Sequence, residues 1–332
     1  MATTRPKKPN PTLTIRRYPN ISPKAYEHPA DRAATKALGA IPGLDAVVRQ
    51  LIEFGYERAM FQADLAGSVQ LGEHQLPEIW TRWGMVTDAL DLGRIPTLYV
   101  AGAQQVNAFA VGSKNPYAIL TSRLVEITDL DEQTSVLAHE AGHLLSDHTL
   151  YRTVLRILLT IGSTAGLVPF AGIPLMAIRL ALLEWFRAAE LTCDRAAALV
   201  TGDPVLVCRT LMVLGGGLPS SQLQIAAFLA QAQVYEEWED GPDRLRRFLS
   251  QLNLTHSMPV KRAHSIVQWT SSGDYDRIVR GEYVTRDQEP DVAEVSKDAV
   301  AFYADRFRSI FESAGESVSK MGKRFAGWVR GE

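Results

Sequence analysis

The sequence predicts a mostly helical α+β fold with one small antiparallel sheet. Over most of the chain, apolar residues recur at spacings of three and four, which is the period of amphipathic helices. Between residues 97 and 121 the pattern changes to three short runs with turn residues between them, as in adjacent strands. The chain has 332 residues, of which 46% are hydrophobic, so it can bury a large core.

The predicted elements follow one another without an internal repeat. Asp129 or Asp131 is a suitable N-cap for the helix after the sheet, and the sequence Gly202-Asp203-Pro204 ends the next long helix. In chain order we predict mostly helical structure over 25–66 and 77–92, strands over 97–101, 106–111 and 117–121, helices over 129–151 and 180–201, and more helical segments to about residue 247.

Composition limits the class of protein and its compartment. A net charge of −2 gives no indication of nucleic acid binding. There are two cysteines, Cys193 and Cys208, which cannot form a disulfide framework and fit a reducing compartment. The first 20 residues lack the apolar core of a signal peptide. We therefore expect a cytoplasmic protein, and leave open its association with the inner face of the membrane.

Three regions are predicted along the chain. Residues 1–24 are expected to form a flexible basic tail, and residues 25–285 one folded domain. Residues 286–332 are expected to form an acidic linker and a long amphipathic helix, which is basic in its last third. This helix could dock on its own domain or a partner, or lie on an anionic membrane.

The motif that indicates chemistry is His139-Glu140-Ala141-Gly142-His143. Four helical residues turn a side chain by a net rotation of about 40°, so both imidazoles face the same way and can share one zinc ion. Glu140 follows the first histidine and can take a proton from an attacking water. The motif therefore predicts a catalytic site with one zinc ion per chain.

A catalytic zinc ion needs a third protein ligand. Glu190 and Asp194 share one face of a later, largely apolar helix, so Glu190 could bind the metal while Asp194 orients a ligand histidine. His148, five residues after His143, is a competing third ligand and stays open on spacing alone. Cys193 is better explained as a small core residue.

The strand Asn107-Ala108-Phe109, the zinc-motif helix and the segment containing Arg187, Glu190 and Asp194 together resemble the M48 metallopeptidases, gluzincins that include the HtpX proteases. The resemblance covers about residues 97–203 and a patch near His256. It implies a zincin-like domain over 25–285, zinc on His139, His143 and Glu190, Glu140 as general base, and protein or peptide substrates.

The resemblance also implies two roles outside the zinc motif. The strand Asn107, Ala108 and Phe109 would be a sheet edge that holds an extended substrate. His256 would act on the transition state, as the histidine of a late His-Pro pair does in the family, although here the proline is displaced by two positions. Arg262, in the same stretch, is a weaker candidate.

Residues 157–178 are uncharged and bear on the membrane question. A single crossing there would put Glu190 on the opposite side of the membrane from His143, and two crossings need about 40 apolar residues. We therefore predict a helical hairpin that turns near 167–174 and packs in the core or dips into a bilayer surface. Peripheral membrane contact is expected, if anywhere, through 157–178 or 300–330.

The function that follows is metal-assisted hydrolysis of peptide bonds. Three alternatives stay open: a protein that binds unfolded chains without cutting them, a hydrolase of non-peptide amides, and a membrane-surface adaptor. The intact Glu140 disfavours the first alternative, and the complete set of ligand candidates disfavours the third.

Overall fold

The computed structural model describes residues 13–41, 43–53, 55–161, 175–237, 259–288 and 299–308. Helices dominate these ranges, and the predicted α+β class is confirmed. The helices are α1 Pro29–Gly39, α2 Leu44–Glu53, α3 Tyr56–Gly67, α4 Pro77–Ala89, α5 Ser122–Ile127, α6 Leu130–Leu145, α7 Thr149–Ile161, α8 Leu175–Thr201, α9 Pro204–Gly216, α10 Ile225–Glu237, α11 Pro259–Ser271, α12 Asp274–Val279 and α13 over 299–308.

The described residues contain a four-stranded sheet in the order β1-β2-β4-β3. Its strands are β1 Ser68–Gln70, β2 Leu98–Ala101, β3 Ala108–Val111 and β4 Tyr117–Thr121. The sheet is mixed, whereas the sequence predicted an antiparallel one, because β2 and β3 flank β4 on opposite sides and β2 runs parallel to β4. β1 was not predicted, since three residues are too few to show a period. Because β3 is the last strand in this order, it lies at an edge of the sheet.

One predicted helix is divided into two in the structure. The sequence predicts a continuous helix over 129–151, but α6 ends at Leu145 and α7 begins at Thr149. Between them Asp147 adopts a left-handed conformation with φ 56°, which a continuing α-helix does not allow. The break turns the chain and lets α7 pack against β3 and α8.

Buried apolar side chains of the described residues form three clusters, and α8 contributes to the two larger ones. Residues 177–189 of α8 belong to one cluster with α1, α2 and α7, and residues 196–200 belong to the other with α4, α6 and the sheet. α6 packs against α8, where Gly142 faces Cys193 and Ala196. The middle of α8 therefore lies where the two larger clusters meet.

The N-terminal residues that the structure describes are packed against the domain, whereas the sequence predicted a flexible tail to residue 24. Tyr18 and Ile21 are buried, because apolar side chains interrupt the basic run and reach the core. Ile21 also forms a β-bridge with Thr285, at the predicted end of the domain. Residues 1–12 lie outside the described residues, and the division at 24/25 and 285/286 stays a prediction.

The two segments with predicted membrane contact are described only in part. α7 and α8 pack together as the arms of the predicted hairpin would, but its turn near 167–174 lies outside the described residues. None of the helices described here is both long and apolar enough to cross a membrane. In α13, Phe307 is buried against the domain and Arg306 pairs with Glu184 at 2.9 Å, so the beginning of the C-terminal helix docks on its own domain.

Candidate metal centre

The start of α6 is fixed by side chains before the zinc motif is reached. The Asp129 carboxylate accepts a hydrogen bond from the Glu132 backbone N–H at 2.8 Å, and the Glu132 side chain accepts one from the Asp129 N–H at 2.9 Å. This is a capping box, which satisfies two of the free N–H groups at a helix start. Arg209 of α9 contacts both carboxylates, at 3.3 and 3.1 Å, and so ties the cap to the next layer.

Gly142 allows α6 and α8 to approach closely at the zinc motif. A Cβ at this position would lie 2.8 Å from the Cβ of Ala196 and 3.3 Å from the Cα of Cys193. Any side chain would therefore push the two helices apart. The glycine between the two motif histidines has a packing role that brings α8 within their reach.

His139, His143 and Glu190 point their side chains at one another inside this contact. Nε2 of His139 is 3.2 Å from Nε2 of His143, which is 3.1 Å from Oε1 of Glu190. Nε2 of His139 is 3.5 Å from Oε2 of Glu190. All three residues are buried.

These three distances can be compared with the requirements of zinc. Ligand atoms that lie 2.0–2.1 Å from a tetrahedral zinc ion are about 3.3 Å from one another. The two histidine nitrogens are 3.2 Å apart, and each lies 3.1 or 3.5 Å from a different oxygen of Glu190. Two imidazoles with one carboxylate form a common donor set of catalytic zinc. The chemistry and the spacing of the donors therefore both fit a zinc ion.

Asp194 and Arg262 lie behind His139 and hold it in place. Asp194 Oδ1 is 3.0 Å from His139 Nδ1, and Arg262 donates to both oxygens of Asp194 at 2.6 and 2.7 Å. A carboxylate on Nδ1 leaves the Nε2 lone pair free to face the metal. Asp194 is therefore placed where its predicted role requires it, and that role stays a prediction. Arg262, which the sequence offered only as a weak candidate, contacts Asp194 directly.

The charges of the site shift the pKa values of its groups. Burial would lower the pKa of His139, but the Glu190 and Asp194 carboxylates raise it to about 9. Burial and Arg152 lower the pKa of His143 well below its usual range. Burial would raise the pKa of Glu190, but Arg262 and His139 hold it well below its usual range, so this carboxylate is ionised.

Glu140 faces the edge of the sheet. Its Oε2 accepts hydrogen bonds from the Ala110 N–H of β3 at 2.6 Å and from Arg152 of α7 at 2.8 Å. The side chain is buried. Sequence reasoning missed Arg152, because it reaches Glu140 only after the chain turns at Asp147.

His148 lies on the other side of the His143 ring from Glu190. Its Nδ1 is 3.1 Å from His143 Nδ1 and 3.7 Å from Cys193 Sγ. His143, His148 and Cys193 form a second group whose donor atoms converge. Burial raises the pKa of Cys193 well above its usual range, which keeps the thiol protonated and a poor ligand. The arrangement favours Glu190 over His148 as the third ligand.

The predicted substrate strand separates two cavities beside these groups. One, of about 80 Å³, is lined by His139, Glu140, Glu190, Arg262, Ala108 and apolar residues of α6 and α9. The other, of about 160 Å³, is lined by Phe109, Arg152, Leu155, Leu159, Leu183 and Phe186 among others. Asn107 borders both. His256 lies outside the described residues, and its predicted role stays a prediction.

A comparison with known protein families identifies the family of the chain. The family model described as peptidase family M48 matches residues 85–270, which include every residue of the candidate centre named above. The chain belongs to peptidase family M48. It is therefore a metallopeptidase, a hydrolase that acts on proteins or peptides.

Curated relatives carry names in the same class. The plastoglobule-localized metallopeptidase 48 of the Arabidopsis thaliana chloroplast is 35% identical, over 79% of this chain and 77% of the relative. A protease HtpX homolog of Acidiphilium cryptum is 34% identical, over 35% of this chain and 49% of the relative. A second HtpX homolog, from Halobacterium salinarum, is 30% identical over 45% of this chain and 46% of the relative. No solved structure matches the chain.

Proposed function

We propose that this member of family M48 is a zinc-dependent endopeptidase in which His139, His143 and Glu190 hold one zinc ion and Glu140 transfers the proton. The observation that supports this most directly is the spacing of 3.1 to 3.5 Å between the two histidine nitrogens and from each of them to a Glu190 oxygen, next to the Glu140 carboxylate. Asp194 orients His139, and Arg262 holds Asp194 in turn.

A zinc ion held by these residues would supply a Lewis acid for the scissile carbonyl and for the attacking water. Glu140 is the proton carrier of the reaction. Its Oε2 is fixed by the Ala110 N–H and by Arg152, so Oε1 is the atom that takes a proton from the water and passes it to the leaving amine. Burial excludes bulk water that would compete for this proton.

The substrate main chain is proposed to lie along β3. Asn107 uses its backbone N–H and C=O toward Thr121 of β4, at 3.0 Å each. Because successive residues of a strand alternate in direction, Ala108 presents its N–H and C=O to the open edge. Ala110 also faces that edge, and its N–H reaches Glu140. An extended peptide added there would place its backbone beside the proton carrier.

The predictions of cellular location and membrane contact stay proposals. The name of the Arabidopsis relative gives a plastoglobule location to that protein alone. We retain a cytoplasmic location with peripheral membrane contact through 157–178 or 300–330 as a prediction. Vesicle co-sedimentation of the chain, with and without residues 309–332, would test the second contact.

The decisive experiment measures zinc content and casein cleavage on the same purified samples. The variants are Glu140→Gln, Glu190→Gln and the control Glu184→Gln. Glu184 is also a buried carboxylate of α8, but it pairs with Arg187 and Arg306 instead of facing the histidines.

We expect one zinc per chain in wild type, in Glu140→Gln and in the Glu184→Gln control. Cleavage should be absent in Glu140→Gln, because the proton carrier is lost, while zinc should be lost in Glu190→Gln. Turnover retained by Glu140→Gln would contradict its assignment as general base. Full zinc content in Glu190→Gln would contradict the ligand set.

A further inference from the structure

A continuous row of polar side chains behind His143 has no part in the mechanism above. His143 Nδ1 is 3.1 Å from Nδ1 of His148, and the other nitrogen of His148, Nε2, is 3.1 Å from Oδ2 of Asp31. The Thr192 hydroxyl donates to the same Asp31 oxygen at 2.6 Å. All four residues are buried. Asp31 belongs to α1, outside the residues that the family model matches.

The positions of the protons along this row follow from one assumption, that His143 offers Nε2 to a metal. The Nδ1 atom of His143 then carries the ring proton and must donate a hydrogen bond. Nδ1 of His148 is the acceptor at hydrogen-bond distance, so the proton of His148 is on Nε2, which donates to Asp31. Every donor in the row faces an acceptor.

The carboxylate at the end of the row is a charged acceptor. Burial would raise the pKa of Asp31, but the contacts with His148 and Thr192 hold it below its usual value. The Thr35 hydroxyl also donates to Asp31 Oδ1 at 3.3 Å, and the Trp185 ring N–H donates to Thr35 at 2.8 Å. The neighbours therefore hold Asp31 in one orientation.

The two motif histidines are then supported in two different ways. His139 Nδ1 contacts the Asp194 carboxylate directly at 3.0 Å. His143 Nδ1 reaches a carboxylate only through the ring of His148. That carboxylate, Asp31, lies on a helix that precedes the zinc motif by about a hundred residues. Hydrogen-bond partners of this kind fix the tautomer and the ring orientation of a ligand histidine.

We propose that His148 and Asp31 are positioning residues that hold His143 with its Nε2 toward His139 and Glu190. This inference rests on the proposed function in one respect, that His143 binds the metal. The N-terminal helix α1 then contributes to metal affinity although it supplies no ligand.

The test is the zinc affinity of the full chain, measured by competition with a chromogenic chelator. His148→Phe keeps a ring of similar shape but cannot accept or donate. His148→Gln can still accept from His143 and donate to Asp31. Asp31→Asn keeps an acceptor but loses the charge. The control is Tyr26→Phe, which removes a different contact between the N-terminal segment and the end of α6, the 3.4 Å pair with Ser146.

We expect His148→Phe to weaken zinc binding by about 10- to 100-fold, the usual effect of losing such a partner. Asp31→Asn should weaken it by less, and His148→Gln and Tyr26→Phe should remain close to wild type. Thermal unfolding in chelator identifies any variant that fails to fold. If His148→Phe fails to fold, the inference is tested by comparing the zinc affinity of Asp31→Asn with that of Tyr26→Phe.

A zinc affinity within about twofold of wild type in both His148→Phe and Asp31→Asn would overturn the inference while leaving the proposed function standing. A cobalt-loaded wild type with the strong charge-transfer absorption of a thiolate ligand would place the metal between His148 and Cys193, and would overturn both the inference and the proposed ligand set. A wild type that binds no zinc would instead overturn the proposed function itself.

Discussion

Arg262 Nη1 lies 2.7 Å from Oε2 of Glu190, the carboxylate that we propose as the third zinc ligand. The same guanidinium holds Asp194 through two hydrogen bonds, so one cation connects a proposed ligand with the group that orients another. The Arg262 guanidinium offsets much of the cost of burying two carboxylates this close together.

Replacing Arg262 with Met should therefore destabilise the metal-free protein strongly. The substitution leaves Asp194 and Glu190 buried without their cation, and breaking a buried pair of this kind costs about 3–5 kcal/mol. Urea unfolding in the presence of a chelator measures this cost without a contribution from zinc.

The matched control for Arg262 is Arg123→Met. Arg123 pairs with Glu126 at the surface, where the loss should be below about 1 kcal/mol. An equal loss of unfolding free energy in Arg262→Met and Arg123→Met would contradict the prediction that the buried ion-pair network stabilises the protein more than a surface pair.

Gly142→Ala should destabilise the protein although alanine is the better helix former. The helix propensity of alanine favours the change by about 1 kcal/mol, but the new methyl group would overlap Ala196 at 2.8 Å. We expect a net loss of about 1–3 kcal/mol, as for other overpacked cores. Zinc affinity should fall too, because α6 carries both histidines and α8 carries Glu190.

The double variant with Gly142→Ala and Ala196→Gly tests the cause of that loss. Removing the methyl group of Ala196 makes room for the one added at 142, so the double variant should recover zinc affinity relative to Gly142→Ala. If the losses of zinc affinity from the two substitutions simply add, the overlap between α6 and α8 is not the cause of the loss in Gly142→Ala.

His28 should make the folded protein sensitive to mild acid. Burial and the nearby Arg195 lower the pKa of His28 from 6.5 to about 3. Between these two values the unfolded chain binds a proton that the folded chain does not. The free energy of unfolding therefore falls as the pH decreases from 6.5 toward 3, by up to about 1.4 kcal/mol per pH unit.

The measurement for this effect compares wild type with His28→Asn at several pH values, in chelator. His28 Nδ1 accepts the Ala30 N–H and so caps α1, a task that asparagine also performs. The stability of wild type relative to the variant should decline below pH 6.5. Two curves that stay parallel between pH 7.5 and 5 would contradict the assignment to His28.

The residues that sequence reasoning could find are those that a helical period brings together. His139 and His143 share a face because they are four apart, and so do Glu190 and Asp194. An apolar setting for Glu190 indicated burial, and burial of an acid indicates a partner. The structure brings all four side chains together.

The remaining contacts depend on where the chain turns and on pairs that are distant in sequence. Arg152 reaches Glu140 only because the helix breaks at Asp147, and an aspartate in a left-handed conformation gives no clear signal in a single sequence. Asp31 meets His148 across more than a hundred residues. The parallel pairing of β2 with β4 arises because β2 and β3 lie on opposite sides of β4. The residue patterns of the strands do not specify this order.

The position of α8 in the two larger apolar clusters has a consequence for cooperativity. Glu190 and Asp194 lie between the part of the helix that packs with α1, α2 and α7 and the part that packs with α4 and the sheet. A cation bound there would be lost when either cluster opens, so its binding free energy would couple the unfolding of the two halves. The metal-loaded protein would then unfold in one transition, and chelation would allow the two halves to melt apart.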